Sequence, residues 1–327
     1  FDDPVAEMAI LRRMAKTSRR PMTITVLQRD KRPELWRDTM ADIAEANAAG
    51  AQIFGQVLTR PTGVMLGFEI SLNPFMACPA WREIADLPHT EKIAHLQQPE
   101  FRARILAERQ EDHLMRTRVT QWDRIFPLGD PPDYEPAADK SVAARAAREG
   151  RSAEEVGYDL LLENDGKTIL YRPLSNYAYG DLETVSDMMQ HPNSLIGLGD
   201  GGAHVGVLTD ASAFTYMLTH WTRDRVRGEK LSLPWAIKRL SHDNAAAIGL
   251  NDRGLLAVGK KADINVIDYD NLKIRPPEVL YDLPSGGKRM VQRTVGYDAN
   301  IVTGQIVYRH GEPTDALPGR LVRGART

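Results

Sequence analysis

Two hydrophobic periods alternate along the first part of the chain. Val5, Met8 and Leu11 are helically spaced behind Asp3 as N-cap and Pro4 at the first helical position, and the segment ends in basic residues, an order that suits the helix dipole. After Pro21 the short, β-branched run MTITVLQ reads as a fully buried strand. The segment from Pro33 is an amphipathic helix stopped by Gly50, and AQIFGQVL behind it is a second apolar strand. Helix, strand, helix, strand is the rhythm of a parallel α/β sheet or barrel.

From Thr59 the rhythm breaks. Helical segments follow at about residues 99–118, and the proline-rich run FPLGDPPDYEP at 126–136 predicts an exposed loop or linker lying over the barrel. Helix resumes at Ser152, which forms a capping box with Glu155. A short strand TILY, a helix near 181–190, the apolar strand SLIGLGD ending at Asp200 and two helices across 211–248 follow. Beyond Gly249, short apolar runs separated by Gly and Asp turns, with a hairpin at Thr303 and Gly304, predict a small β-rich module. The division is therefore 1–252 for an α/β body with an insertion at 59–150, and 253–327 for the β module.

The 327 residues carry 42 Lys plus Arg against 44 Asp plus Glu, a balance that argues against a nucleic-acid binder built on a basic face. With 42% hydrophobic and 26% charged residues the chain can bury a core. The single cysteine, Cys78, excludes an intrachain disulfide and any multi-cysteine metal site within the chain. No apolar run approaches the ~18 residues of a membrane span. These features predict a soluble, cytoplasmic globular protein that binds neither nucleic acid nor membrane.

In parallel α/β architectures the chemistry sits at the carboxyl ends of the strands. That rule nominates Gln28 and Asp30 after the first strand, Gln56 and Arg60 after the second, and Asp200 with His204 after the third. Asp200 stands among glycines, where the backbone turns tightly and a ligand can approach; a carboxylate there can bind a metal, act as a base toward metal-bound water, or cap the next element. Arg60, fixed before Pro61, suits capture of a substrate carboxylate, or else an ion pair to a neighbouring loop. Cys78 reads as a packing residue, and His220 and Trp221 as part of a helical core stripe or, for His220, as a helix-borne histidine near the pocket mouth. The run PSGGKR lacks the spacing of a P-loop.

The segments GDGGAH around Asp200, then AAAIGL, DRG and KADINVID, and the tail GQIVYRHGEPTDALPGRLVRG, resemble the amidohydrolase superfamily, specifically its D-aminoacylase branch of N-acyl-D-amino-acid deacylases. The resemblance covers roughly residues 190–325, with Gly199 where the family motif has serine. It implies the carboxyl-terminal part of a (β/α)8 barrel, strands six to eight, followed by strands of a β-sandwich. It further implies hydrolysis of the amide of a small N-acyl amino acid or related amide by water activated on zinc, with one or two ions. Asp200 takes the role of metal ligand and proton shuttle, and Arg60, His204 and Gln28 are substrate-binding candidates.

This sequence departs from the family where most metal ligands would lie. None of its eight histidines is paired two apart, and Gln28 stands where the sixth strand often ends in a histidine. A single carboxylate cannot hold a catalytic zinc, which takes three protein ligands plus water. Most ligands are therefore expected outside this chain, on a companion polypeptide or an amino-terminal portion, and a homo- or hetero-oligomer is expected. Two alternatives stay open: a relative that has lost its metal and serves as a binding or structural subunit, and a solute-binding protein.

Overall fold

A computed structural model describes residues 3–108, 116–197 and 202–322. Helix α1 (Pro4–Ser18) starts at Asp3, whose carboxylate accepts from the Ala6 amide at 3.0 Å. It leads to β1 (Met22–Thr25), α2 (Leu35–Ala48) and β2 (Ile53–Val57), and Gly50 between the last two takes φ +91°. β2 is the centre of a three-stranded parallel sheet in the order β1-β2-β6, with β6 at Ser194–Ile196. The strands read from MTITVLQ, AQIFGQVL and SLIGLGD are thus parallel neighbours, whereas TILY enters a separate antiparallel sheet.

β1 is not the fully buried strand its composition predicts, for Met22 and Ile24 are half-buried while Thr23 and Thr25 are exposed. The physical reason is its position. β1 is an edge strand, and only the face carrying Met22, Ile24, Ile53 and Val57 is packed, against a core that includes Met40, Ile43, Val185 and Met188. On the opposite face Gln56 Nε2 donates to Thr23 Oγ1 at 2.9 Å. The other edge is closed differently. Arg239 Nη2 donates to the Ser194 carbonyl at 2.6 Å and Asn244 Nδ2 to the Ile196 carbonyl at 2.8 Å, so side chains satisfy the backbone that a further strand would otherwise take.

Between β2 and β6 the chain builds a separate lobe. β3 (Gly63–Leu66), α3 (Pro79–Ile84), α4 (His89–Leu96), α5 (Pro99–Ala107), α6 (Arg116–Thr120), β4 (Phe126–Pro127), α7 (Val142–Glu149), α8 (Ala153–Gly166) and β5 (Leu170–Pro173) follow in order. β3 and β4 both pair antiparallel with β5. The lobe has its own core, in which Phe68, Phe75, Trp81, Trp122 and Tyr158 pack on one another. Cys78 is buried there, its thiol pushed up to about 11 by desolvation. The β3–β5 pairing carries the insertion to residue 173, past the boundary at 150 drawn from the sequence.

After α9 (Glu183–Gln190) and β6, the helices α10 (Ala213–Thr219), α11 (Leu233–Lys238) and α12 (Asn244–Ala247) complete the body. The β module then runs β7 (Ile264–Ile267), β8 (Lys273–Ile274), β9 (Glu278–Leu283), β10 (Gly287–Val291), β11 (Thr294–Val295), β12 (Tyr297–Val302), β13 (Gln305–Arg309) and β14 (Glu312–Pro313). β12 and β13 are joined by Thr303 and Gly304 at φ +50° and +78°, as a two-residue hairpin demands. Among the described residues no helix is long and apolar enough to cross a membrane.

The proline-rich run at 126–136 overturns its reading as an exposed loop. Phe126, Leu128, Tyr134 and Glu135 are buried, and Glu135 is only 3% exposed. Its carboxylate accepts from the Leu182 amide at 3.0 Å, lies 2.8 Å from His220 Nε2, and takes Arg225 Nε and Nη2 at 3.2 and 3.1 Å. Arg225 is itself buried, over the Trp221 ring at 4.4 Å, and reaches Glu183 at 2.9 Å. Burial alone would raise the Glu135 carboxyl, but the hydrogen bonds from His220 and Arg225 outweigh it and hold the group below the usual carboxylate range.

Two outcomes follow for stability. Gly63→Ala places a Cβ 2.6 Å from the Arg172 carbonyl oxygen and 2.5 Å from Tyr171 Cε2, so overpacking against backbone should cost about 1–3 kcal/mol in urea unfolding. Because the folded pKa of Glu135 is depressed, its contribution is present above the unfolded value near ~4.3 and is lost as pH falls through the folded one. Glu135→Gln should lose about 3 kcal/mol at neutral pH and show a flatter acid decline than the parent. Parallel acid limbs in the two proteins would refute the linkage.

Candidate functional site

The carboxyl end of β2 is held from several directions. Trp221 Nε1 donates to the Thr59 carbonyl at 2.6 Å, Thr59 Oγ1 to the Ala213 carbonyl at 2.7 Å, and the Tyr171 hydroxyl to the Pro61 carbonyl at 2.9 Å. Pro61 further restricts the residue before it. Arg60 is therefore presented by a rigid turn.

The Arg60 side chain is 1% exposed. Its Nη2 donates to the Thr209 carbonyl at 2.6 Å and lies 3.6 Å from the Asp210 carboxylate, while the guanidinium stacks 3.8 Å over the Tyr134 ring. Nε and Nη1 are buried without a hydrogen-bond partner among the described residues. An unfilled buried donor costs on the order of 1–3 kcal/mol, so this guanidinium is supplied with less than it can bind. Tyr134 packs edge-to-face against Tyr171 and Tyr216, and Tyr216 stacks on His220 at 4.5 Å. A continuous run of rings thus connects Arg60 to the Glu135 cluster.

Gln28, after β1, is 1% exposed and engaged at both polar ends: Nε2 donates to Thr184 Oγ1 at 3.0 Å and Oε1 accepts from the Ala178 amide at 2.9 Å. Its backbone N–H donates to Asn176 Oδ1 at 2.9 Å, and Asn176 Nδ2 donates to the Arg60 carbonyl at 3.5 Å. Asn176, fully buried at φ +61°, thereby joins the ends of β1 and β2. Asparagine is one of the few residues that tolerate this conformation, but a lone Asn in a loop gave no reason to single it out. Asp30 pairs with Arg124 at 3.0 Å and stands 3.8 Å from Arg172.

Asp200, with Gly199 beside it, lies outside the described residues. The chain reappears at Gly202 and crosses between lobe and β module: the carbonyls of Val205, Gly206 and Val207 accept from Met290, Ser71 and Met65 at 2.7, 3.1 and 2.9 Å. His204 sits on the exposed part of this crossing at φ +49°. Its carbonyl accepts from Val207 and Leu208, and its ring has no hydrogen-bond or ionic partner among the described residues. The structure brings Gln28 and Arg60 together through Asn176, ties Arg60 to Thr209 downstream of Asp200, and holds the His204 ring apart from both. Among the described residues no three His, Cys, Asp or Glu side chains converge as a metal site.

The β module closes one side of this region, with the Gln292 amide donating to the Tyr134 hydroxyl at 2.9 Å and Tyr297 lying 3.0 Å from Thr215. No curated protein matches the chain. Among solved structures it is similar to D-aminoacylase, studied for the functional role of its binuclear metal centre, at 17% identity and TM-score 0.48, covering 93% of this chain and 50% of that one. It is also similar to N-acyl-D-glutamate deacylase from Bordetella bronchiseptica, complexed with zinc and a phosphonate inhibitor, at 17% identity and TM-score 0.45, covering 94% and 52%. The chain spans about half the length of these enzymes. The sequence model described as the amidohydrolase family matches residues 3–308, and the chain, matched over nearly its whole length, belongs to that family.

Proposed function

We propose that these residues form the carboxyl-terminal part, strands six to eight, of a (β/α)8 barrel with its share of a β-sandwich, in a metal-dependent hydrolase of the amide bond of N-acyl amino acids. Family membership supports the reaction class, and the sequence motifs around Asp200 support a D-configured substrate. The parallel order β1-β2-β6, with β1 at its edge, supports a sheet that takes a further strand there from polypeptide beyond these residues. The observation that carries the reading is Arg60, a rigidly held, buried cation at a strand's carboxyl end with two unfilled donors.

Within this reading Arg60 receives the substrate carboxylate and orients the acyl-amide group. Gln28, filled at both ends, acts by holding the Asn176 bridge. His204, exposed and apart from Arg60, is free to meet substrate only if the ligand extends toward it. Asp200 serves as metal ligand and proton shuttle, and zinc would supply water activation when bound. The described residues alone do not fit a zinc site, so its other ligands come from outside them. A second reading is favoured by the engaged Gln28, where the sixth strand of the family often ends in a histidine: a family member without metal that binds its ligand and does not hydrolyse it.

Assays of the catalytically complete enzyme on N-acyl-D-amino acids separate these readings. Asp200→Asn should abolish turnover, and unchanged turnover removes Asp200 from the mechanism. Arg60→Lys should lower kcat/KM tenfold or more on the free acid and leave hydrolysis of the matching carboxamide nearly unchanged. Metal analysis showing no bound zinc, with ligand binding but no hydrolysis, selects the second reading. Light scattering should find the chain in a larger assembly or with companion polypeptide; a monodisperse 36.5 kDa monomer would sink the proposed dependence.

A further inference from the structure

The inserted lobe and the β9–β10 hairpin border a cleft of about 720 Å³, lined by the start of α4 and by Lys92, Lys167, Tyr281 and Lys288. Its charges are arranged unusually. Lys92 is 7% exposed, and its ammonium lies 5.3 Å from the Trp81 ring centroid with no hydrogen bond or ion pair among the described residues. Lys288 donates to the Glu69 carbonyl at 2.6 Å, which occupies only one of its three protons. Burial, then the charge of Lys288, hold Lys92 below the usual lysine range, and burial does the same for Lys288. Lys92 is buried and Lys288 half-buried, and like charges placed so cost stability unless an anion joins them.

The backbone adds donors at the same place. α4 begins at His89 after Pro88, which provides no side-chain cap, so the first amides of the helix remain available to an anion. His89 Nε2 lies 3.0 Å from the Asp165 carbonyl, which assigns the proton there, and its Nδ1 is buried without a partner. Two carboxylates also line the cleft: Glu69 takes the Tyr281 hydroxyl at 3.3 Å, and Asp86 is exposed and offsets part of the Lys92 penalty. The PSGGKR run contributes Gly286, Gly287 and Lys288 to the wall. Without being a P-loop, it meets a helix N-terminus across space.

We propose that this cleft binds a phosphate group, free or as a small monoester, between Lys92, Lys288 and the first amides of α4, with Lys167 at the rim. The volume falls within the range of pockets for small organic ligands, leaving room for the remainder of an ester. The site lies apart from Arg60 and is independent of the proposed hydrolysis.

Calorimetric titration of the complete assembly that contains this chain with inorganic phosphate and with phenyl phosphate tests this. At least one should bind saturably, and tighter binding of phenyl phosphate identifies the ester as the ligand class. Lys92→Met and Lys288→Gln should each weaken binding tenfold or more, while Lys16→Met, in a separate basic groove beside Arg12 and Arg19, should leave it unchanged. Melting curves check that the variants are folded, and Lys288→Gln on the hairpin decides the matter if Lys92→Met is not. No saturable binding, equal binding of malonate, or binding indifferent to both substitutions overturns the proposal.

Discussion

The buried ion cluster of Glu135 and Arg225 is the constraint on which the arrangement of this protein depends. Both ions leave water, and that penalty is offset only because the Glu135 carboxylate receives four contacts, from Leu182, His220 and two Arg225 nitrogens. Those partners come from different parts of the chain. Leu182 precedes α9, His220 and Arg225 follow α10, and Glu135 belongs to the lobe. The lobe therefore has one acceptable seat on the body. Arg227 reinforces it, donating to the Glu135 carbonyl at 2.9 Å and the Tyr177 hydroxyl at 3.0 Å.

From that seat the geometry of the candidate site follows. Tyr134 is adjacent to Glu135 in sequence, so fixing the carboxylate also fixes the ring on which Arg60 stacks. Trp221, beneath Arg225, reaches the Thr59 carbonyl at the end of β2. The arginine at the strand end is thus positioned by residues from the lobe and from α10 as well as by its own strand, and its unfilled donors are a product of packing that leaves little room for relaxation.

Local features were readable along the chain because their causes are local. The Asp3 cap, the Ser152–Glu155 capping box, the Gly50 stop and the Thr303–Gly304 turn depend on residues a few positions apart. The three parallel strands were also legible from short apolar runs. What depended on distance was not. Nothing near Glu135 discloses an arginine ninety positions on, so a proline-rich run with acidic residues resembled an exposed loop. β1 looked buried because its composition is apolar, whereas burial depends on which neighbours cover each face. The strand-end rule nominates Arg60, and the Asn176 bridge that supports it carries no sequence signature.

The pairing of Gly63 with Pro173 has a consequence for how such a protein is put together. Facing residues in an antiparallel pair lie only ~5 Å apart, so more than a hundred residues leave the sheet-forming body and return to it at essentially one point. Since the lobe also has its own core, it meets the requirements for a unit that can be exchanged or grafted as a cassette, with the parent backbone rejoined by a tight turn. Such a cassette could vary in length and contents with little demand on the parallel strands, while the Glu135 contact would have to be re-created or replaced each time.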